Sequence, residues 1–168
     1  MEKIGSYLSE LPEYCYDFFT GIEITTSSLT RLNYAMDLSI FFDYISKFIL
    51  KKDKKEITLK DLDTLEARDI ESYLSYLTFY KVDDKVFKNT ENGKARKLAS
   101  VRSFFKYLFN HDLISKNVVS KVPTPKLHNK GIIRLEGNEI EKMLDAVNDP
   151  TTFTQRQKNY NKNTRIRD

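Results

Sequence analysis

The 168-residue chain has no tryptophan, one cysteine, two histidines, five glycines and four prolines. Each shortage closes off a class of structure. The lone Cys15 forms no internal disulfide, and one cysteine with two scattered histidines, His111 and His128, supplies no zinc-ligand cluster. Scarce glycine and proline argue for an all-helical fold over a turn-rich β fold. No apolar run approaches the ~20 residues that span a bilayer. The first residues include Glu2 and Lys3 and no apolar stretch, so no secretory signal is evident. Cys15, between Tyr14 and Tyr16, reads as a small core residue. A cytoplasmic protein with no metal, no cofactor and no membrane partner is the expectation.

What is present suffices for a core: 40% of residues are hydrophobic and 12% aromatic. The length holds one full domain and a piece of a second. The net charge is only +4, but it is unevenly spread. Residues 88–134 carry eleven Lys/Arg against Glu91 and Asp112, a net +9, whereas residues 1–87 are net −5. A basic segment of this kind fits a polyanion better than it fits mere solubility.

Residues 94–109 say most about function. At 3.6 residues per turn, Leu98, Val101, Phe105, Leu108 and Phe109 form one apolar stripe. Arg96, Ser100, Ser103 and Tyr107 fall opposite, flanked by Lys97, Arg102 and Lys106. Such a helix packs by its stripe and offers cations and short donors outward. Those groups suit a DNA groove, with Lys and Arg on phosphates and small polar groups near base edges. A solvated surface helix of a bundle is the plainer alternative.

Around it, the spacing predicts a first helix over about 6–20, ended by Gly21, and a long second helix from the Thr25–Ser28 run to about Leu50. The second is apolar on two sides, through Tyr34, Leu38, Phe41, Ile45 and Phe48 and through Met36, Ile40 and Tyr44, which places it centrally. Its polar start, at Ser27, Ser28, Thr30 and Arg31, is where free N–H groups favour a phosphate. A third helix carries Leu65, Ile70, Tyr73, Leu74 and Leu77. Residues 81–93 read as a connection of mixed charge, and 94–112 as the fourth helix. Residues 115–134 hold Pro123, Pro125, Gly131 and five Lys/Arg without a helical period, and read as an extended basic linker. Helical spacing resumes at Leu135, Ile140, Met143, Leu144 and Val147. The closing Thr164-Arg-Ile-Arg-Asp looks like the start of another helix, so the chain is expected to be a fragment of a longer one.

This order resembles the N-terminal core-binding domain of the tyrosine recombinases, the phage-integrase and Xer type. Thr30, Tyr34, Leu38 and Phe41 are similar to that family's Thr-x-x-x-Tyr-x-x-x-Leu-x-x-Phe pattern. Arg96, Leu98, Ala99, Ser100, Val101, Arg102, Phe104, Phe105, Tyr107 and Leu108 are similar to its Arg-x-Leu-Ser-Ala-Leu-Arg-x-Phe-Phe-x-Tyr-Leu segment. Leu113–Asn117 resembles the exit of the fourth helix, Pro125-Lys126-Leu127 the linker, and Leu135 to Leu144 the first catalytic-domain helix. Val118 stands where the family usually has proline, Asp112 where it often has glycine, and Glu136 in place of a Ser/Thr cap.

The resemblance implies an all-α, four-helix core-binding (SAM-like) bundle over 1–114, a linker over 115–134 and the start of a catalytic domain over 135–168. It implies double-stranded DNA as partner, a recombination half-site held in a clamp, and other protomers in a synaptic tetramer. DNA contact is implied at Thr30, Arg31, Lys94, Arg96, Lys97, Ser100, Ser103, Lys106 and Lys126. The family cleaves DNA through a tyrosine nucleophile assisted by arginines, a lysine and histidines. Its Gly-x-Arg-x-x-Glu and His-x-x-Arg-His motifs do not occur here, so no catalytic residue is assigned and the chain alone is expected to be inactive. A free-standing helical DNA-binding regulator and a protein-interaction bundle are the competing readings. The aromatics of the first helix, Tyr14, Phe18 and Phe19, read as core, with a neighbouring protomer as the alternative.

Overall fold

The computed structural model describes residues 2–82 and 85–126, together with 141, 142 and 145. The chain divides into two compact units, Met1–His128 and Asn129–Asp168. In the second, Glu141, Lys142 and Asp145 are helical. The apolar positions expected to restart a helix there, from Leu135 to Val147, lie outside the described residues, as do residues 127–134 of the expected linker.

The described residues of the first unit form helices, one hairpin and their connections. Its helices are α1 (Glu2–Leu8), α2 (Tyr14–Gly21), α3 (Ser28–Tyr44), α4 (Leu59–Thr64), α5 (Ala67–Tyr76) and α6 (Glu91–Asn110). Two helices expected to be continuous are each split. The first breaks over Ser9–Glu13, around Pro12, which has no N–H to donate and disfavours helix in the residue before it. The third breaks at Leu65 and Glu66, both extended. Each half of that pair has its own start signal. Thr58 and Asp61 form a reciprocal capping box on α4, and Asp69 accepts from the Glu66 N–H on α5 at 2.8 Å. The long second helix is α3 followed by a π-helical segment, Ile45–Leu50, and ends at Lys51 with φ 51°.

Residues 81–93, read as a connection, instead open with strand pairing. Strand β1 (Phe79–Val82) runs antiparallel to β2 (Lys85–Lys88), with Tyr80 opposite Phe87 and Phe79 opposite Lys88. Aromatic and β-branched residues on both sides of a two-residue connection, Phe79, Tyr80 and Val82 before it and Val86 and Phe87 after it, are the signal for this hairpin.

The core is aromatic. Phe18, Phe41, Phe42, Phe104 and Phe105 are fully buried, and their rings meet mostly edge-on at 5.2–6.0 Å. Tyr107 seals α6 onto α2: its hydroxyl donates to the Asp17 carbonyl, and its ring fills the space beside Gly21, where a Cβ would stand 2.5 Å away. At the far end of α6, Asp112 has φ 55°, and the Leu113 N–H reaches back to the Leu108 carbonyl. This left-handed exit is the position where the resembled family often has glycine, and Asp is among the few other residues that adopt it readily.

The segment expected to be extended from Ser115 is packed over its first part. Val118–Lys121 form a 3₁₀ turn capped by Asn117, and Val118, Val119 and Val122 are buried. Arg102 of α6 straps the segment down through the Val122 carbonyl and the Thr124 hydroxyl.

Candidate nucleic-acid interface

Helix α6 forms where the sequence places it, begun by Thr90, whose hydroxyl caps the Gly93 N–H. Its inward face differs from the expected stripe. Phe104 is buried, while Phe109 is exposed. Lys97 and Ser100, read as outward, are buried as well.

The cause is Asp37 on α3, a carboxylate only 1% exposed in the middle of the helix. An isolated buried carboxylate is costly, so it must be paired. Both terminal nitrogens of Arg96 donate to it at 2.9 Å, a two-pronged clamp. The Ser100 hydroxyl donates at 2.7 Å, and Lys97 Nζ lies 3.8 Å away. Burial pushes the Asp37 carboxyl up, against the pull of Ser100, Arg96 and Lys97. Burial pushes Lys97 down, against the pull of Asp37. Lys97 also donates to Asn89 Oδ1 at 3.2 Å. The Arg96 side chain remains 49% exposed, its terminal nitrogens fixed from beneath.

The outer face of α6 is therefore Asn92, Arg96, Ala99, Lys106 and Asn110, all exposed, with the half-buried Ala95 and Ser103 between them. It is a strip of small residues edged by two cations. Arg96, Ser103 and Lys106 were expected there; Asn92, Ala95, Ala99 and Asp37 were missed. A carboxylate amid the apolar faces at the middle of α3 was the signal for Asp37.

The start of α3 has another character. Ser27 caps the Thr30 N–H, and its hydroxyl is 2.9 Å from that of Thr30. The Arg31 guanidinium donates to the carbonyls of Glu23 and Thr26 at 2.9 Å and pairs with the Glu23 carboxylate at 3.5 Å. Its side chain is 13% exposed and ties the α2–α3 connection together. Lys94 pairs with Glu91 at 3.0 Å. Lys106, Lys116, Lys121 and Lys126 are exposed, with no partner among the described residues.

Among the described residues nothing resembles an activated nucleophile. Burial raises the phenols of Tyr14, Tyr44, Tyr73, Tyr76 and Tyr80, and the buried hydroxyls of Tyr14 and Tyr73 have no hydrogen-bond partner. Burial also raises the Cys15 thiol. No group of three metal-ligating side chains occurs among them, and no described helix is long and apolar enough to cross a membrane.

The chain is similar to several curated proteins. The tyrosine recombinase XerC of Caldanaerobacter subterraneus subsp. tengcongensis is 34% identical over 141 residues, which are 80% of this chain and 39% of that protein. XerC of Leptospira interrogans is 27% identical over 152 residues, 84% of this chain and 44% of the relative. XerD of Listeria innocua is 29% identical over 133 residues, 79% of this chain and 40% of the relative. The chain thus spans about two fifths of the length of the relatives it matches. No family model matches it, and no solved structure does.

Proposed function

This chain belongs to the Xer-like tyrosine recombinase family, and from that premise we propose that its first unit is the duplex-DNA-gripping part of a site-specific recombinase. The outer face of α6 is the groove-facing surface. Its small side chains let the helix approach base edges, while Arg96 and Lys106 reach phosphates on either side. Lys97 and Ser100 act from behind, through Asp37. Thr30 and Lys94 add contacts at the helix starts, and Lys126 holds the segment leaving the domain onto the backbone. Arg31 braces the α2–α3 connection.

Strand cleavage belongs to parts of the recombinase with the Gly-x-Arg-x-x-Glu and His-x-x-Arg-His motifs, which this sequence lacks. On this reading the chain binds a recombination half-site without cutting it, and other protomers complete the assembly.

The observation that carries the proposal is the fixed Arg96: a half-exposed guanidinium held two-pronged by a buried carboxylate, on the smooth side of the most basic helix. The same observation supports one other reading, in which the Asp37 cluster serves only to join α3 to α6 in a protein-interaction bundle. Fluorescence anisotropy of the full chain on a random-sequence duplex, over a salt series, separates the two. A Lys106→Ala, Lys126→Ala variant should keep its fold and lose up to two phosphate contacts. Each contact contributes about −0.9 to the slope of log K against log salt. A slope shallower by about one to two units in the variant supports the DNA reading. No salt-dependent binding by the wild-type chain would leave the interaction bundle.

A further inference from the structure

A cavity of about 390 Å³ opens between α1, α3, the segment after α3, the end of α5 and β1, and no residue of α6 lines it. Sites that hold small ligands run from roughly 300 to 1,000 Å³. Ser39, Asp43 and Lys47 line its α3 side, about one turn apart. Ser39 is only 7% exposed, and its hydroxyl has no hydrogen-bond partner among the described residues. Buried hydroxyls are ordinarily paired, and a helical serine can bond to the carbonyl four residues back. Ser39 does neither, so its hydroxyl is left for something that enters the cavity.

The sign of the site follows from which groups are already used. Lys54 stands between Glu10 at 3.2 Å and Asp43 at 3.0 Å, so both carboxylates already face a cation. The Ser39 hydroxyl, the Tyr7 hydroxyl and the exposed Lys47 ammonium have no partner among the described residues, and all three can donate. With Lys81, three lysines line the cavity against two carboxylates. Free donors and a positive balance suit an oxyanion. A phosphate group offers three acceptor oxygens and a charge of about −1.5 to −2 near pH 7, more than a carboxylate does. The apolar wall is Ile40 and the Tyr76 ring. Tyr44 at 5.0 Å, Phe48 at 5.4 Å and Tyr80 at 5.7 Å hold that ring in place.

We propose that this cavity binds a small phosphorylated molecule with a planar ring, of the nucleoside monophosphate class. The phosphate takes the free donors of Ser39, Lys47 and Tyr7, and the ring lies against Tyr76 and Ile40. Lys54 keeps Glu10 and Asp43 from repelling the anion. A small molecule is favoured over a DNA backbone because Ser39 is too deeply covered for a phosphate fixed to a stiff duplex to reach. The inference is independent of the DNA-binding reading, since it uses no residue of α6. A ligand held here ties α1 to α3 and α5, and so stabilises the fold.

Isothermal titration calorimetry of the full chain with AMP, adenosine and inorganic phosphate tests this. AMP should bind, inorganic phosphate should bind more weakly, and adenosine should give no measurable heat. Ser39→Ala and Lys47→Gln should each weaken AMP about tenfold or more, the effect of losing a hydrogen bond to a charged group. Alanine favours helix more than serine, so Ser39→Ala keeps α3. Lys106→Ala, on the outer face of α6, removes the same charge away from the cavity and should bind AMP as the wild type does. AMP should also raise the melting temperature of the wild type more than that of Ser39→Ala. No binding of AMP, or equal binding by the wild type, Ser39→Ala and Lys47→Gln, overturns the proposal. Inorganic phosphate binding as tightly as AMP overturns the nucleotide class. Displacement of AMP by the random-sequence duplex makes DNA the source of the phosphate, and the small-molecule site falls.

Discussion

Two arginines open the two helices that a DNA-binding reading depends on, and they are used in opposite ways. Arg31, at the start of α3, gives its guanidinium to two backbone carbonyls and Glu23 and is nearly covered. Arg96, at the start of α6, clamps a buried carboxylate and stays half exposed. Backbone carbonyls and a surface carboxylate consume an arginine locally, in order to hold a turn. A buried carboxylate fixes one while leaving its outer edge to solvent. Cation content alone does not separate the two; what lies beneath each guanidinium does.

The sharpest way to break the comparison is to remove Asp37. Asp37→Ala leaves Lys97 buried without its counter-charge, and breaking a buried pair from one side costs about 3–5 kcal/mol. Chemical denaturation of the variant should show a loss of that size, with Arg96 released. Arg31→Ala should cost less, about 1.5–3 kcal/mol for hydrogen bonds from a charged donor, and should leave the salt slope of DNA binding where it was. An Arg31→Ala chain with a shallower slope would put both arginines on DNA and erase the distinction.

A titration away from both arginines provides a control. Asp61, holding the start of α4 with Lys52 and Thr58, has its carboxyl lowered to about 2. A lowered carboxyl stabilises the fold above its unfolded value near 4 and loses that contribution as pH falls toward 2. Asp61→Asn should therefore cost about 1 kcal/mol at neutral pH, the size of a helix cap, and the gap to wild type should close near pH 2. Thermal melts at both pH values check this. Smallest of all, Lys106→Ala should change stability by less than about 0.5 kcal/mol while shallowing the DNA salt slope by about 0.9.

The sequence made the helices legible where apolar periodicity was strong and unbroken, as in α3 and α6. It misled where a short interruption had its own capping. Pro12 and the Glu66–Asp69 box each split one expected helix, because local hydrogen bonding outweighs a periodic pattern over a few residues. The hairpin was hidden by its lysines, Lys81, Lys85 and Lys88, which lower the apparent strand signal. For the candidate interface, periodicity located α6 along the chain but turned it partly the wrong way. Ser100 and Lys97 look polar in one dimension, and only the partner helix, with Asp37, turns them inward. The resemblance carried what periodicity could not, since order and spacing across the chain are independent of which residue faces where.

The π-helical turn at Ile45–Leu50 has a consequence for chain length. In an ordinary helix, deleting one residue swings everything downstream by about 100°, because each residue contributes one part in 3.6 of a full circle. A π turn already holds one residue more between bonded partners than an α turn. Loss of a single residue there would let the segment close into an α turn and leave the phase of α3 and the loop beyond nearly unchanged. The end of α3 is therefore a built-in allowance, the place in this bundle where the reading frame of side chains along a helix absorbs a deletion.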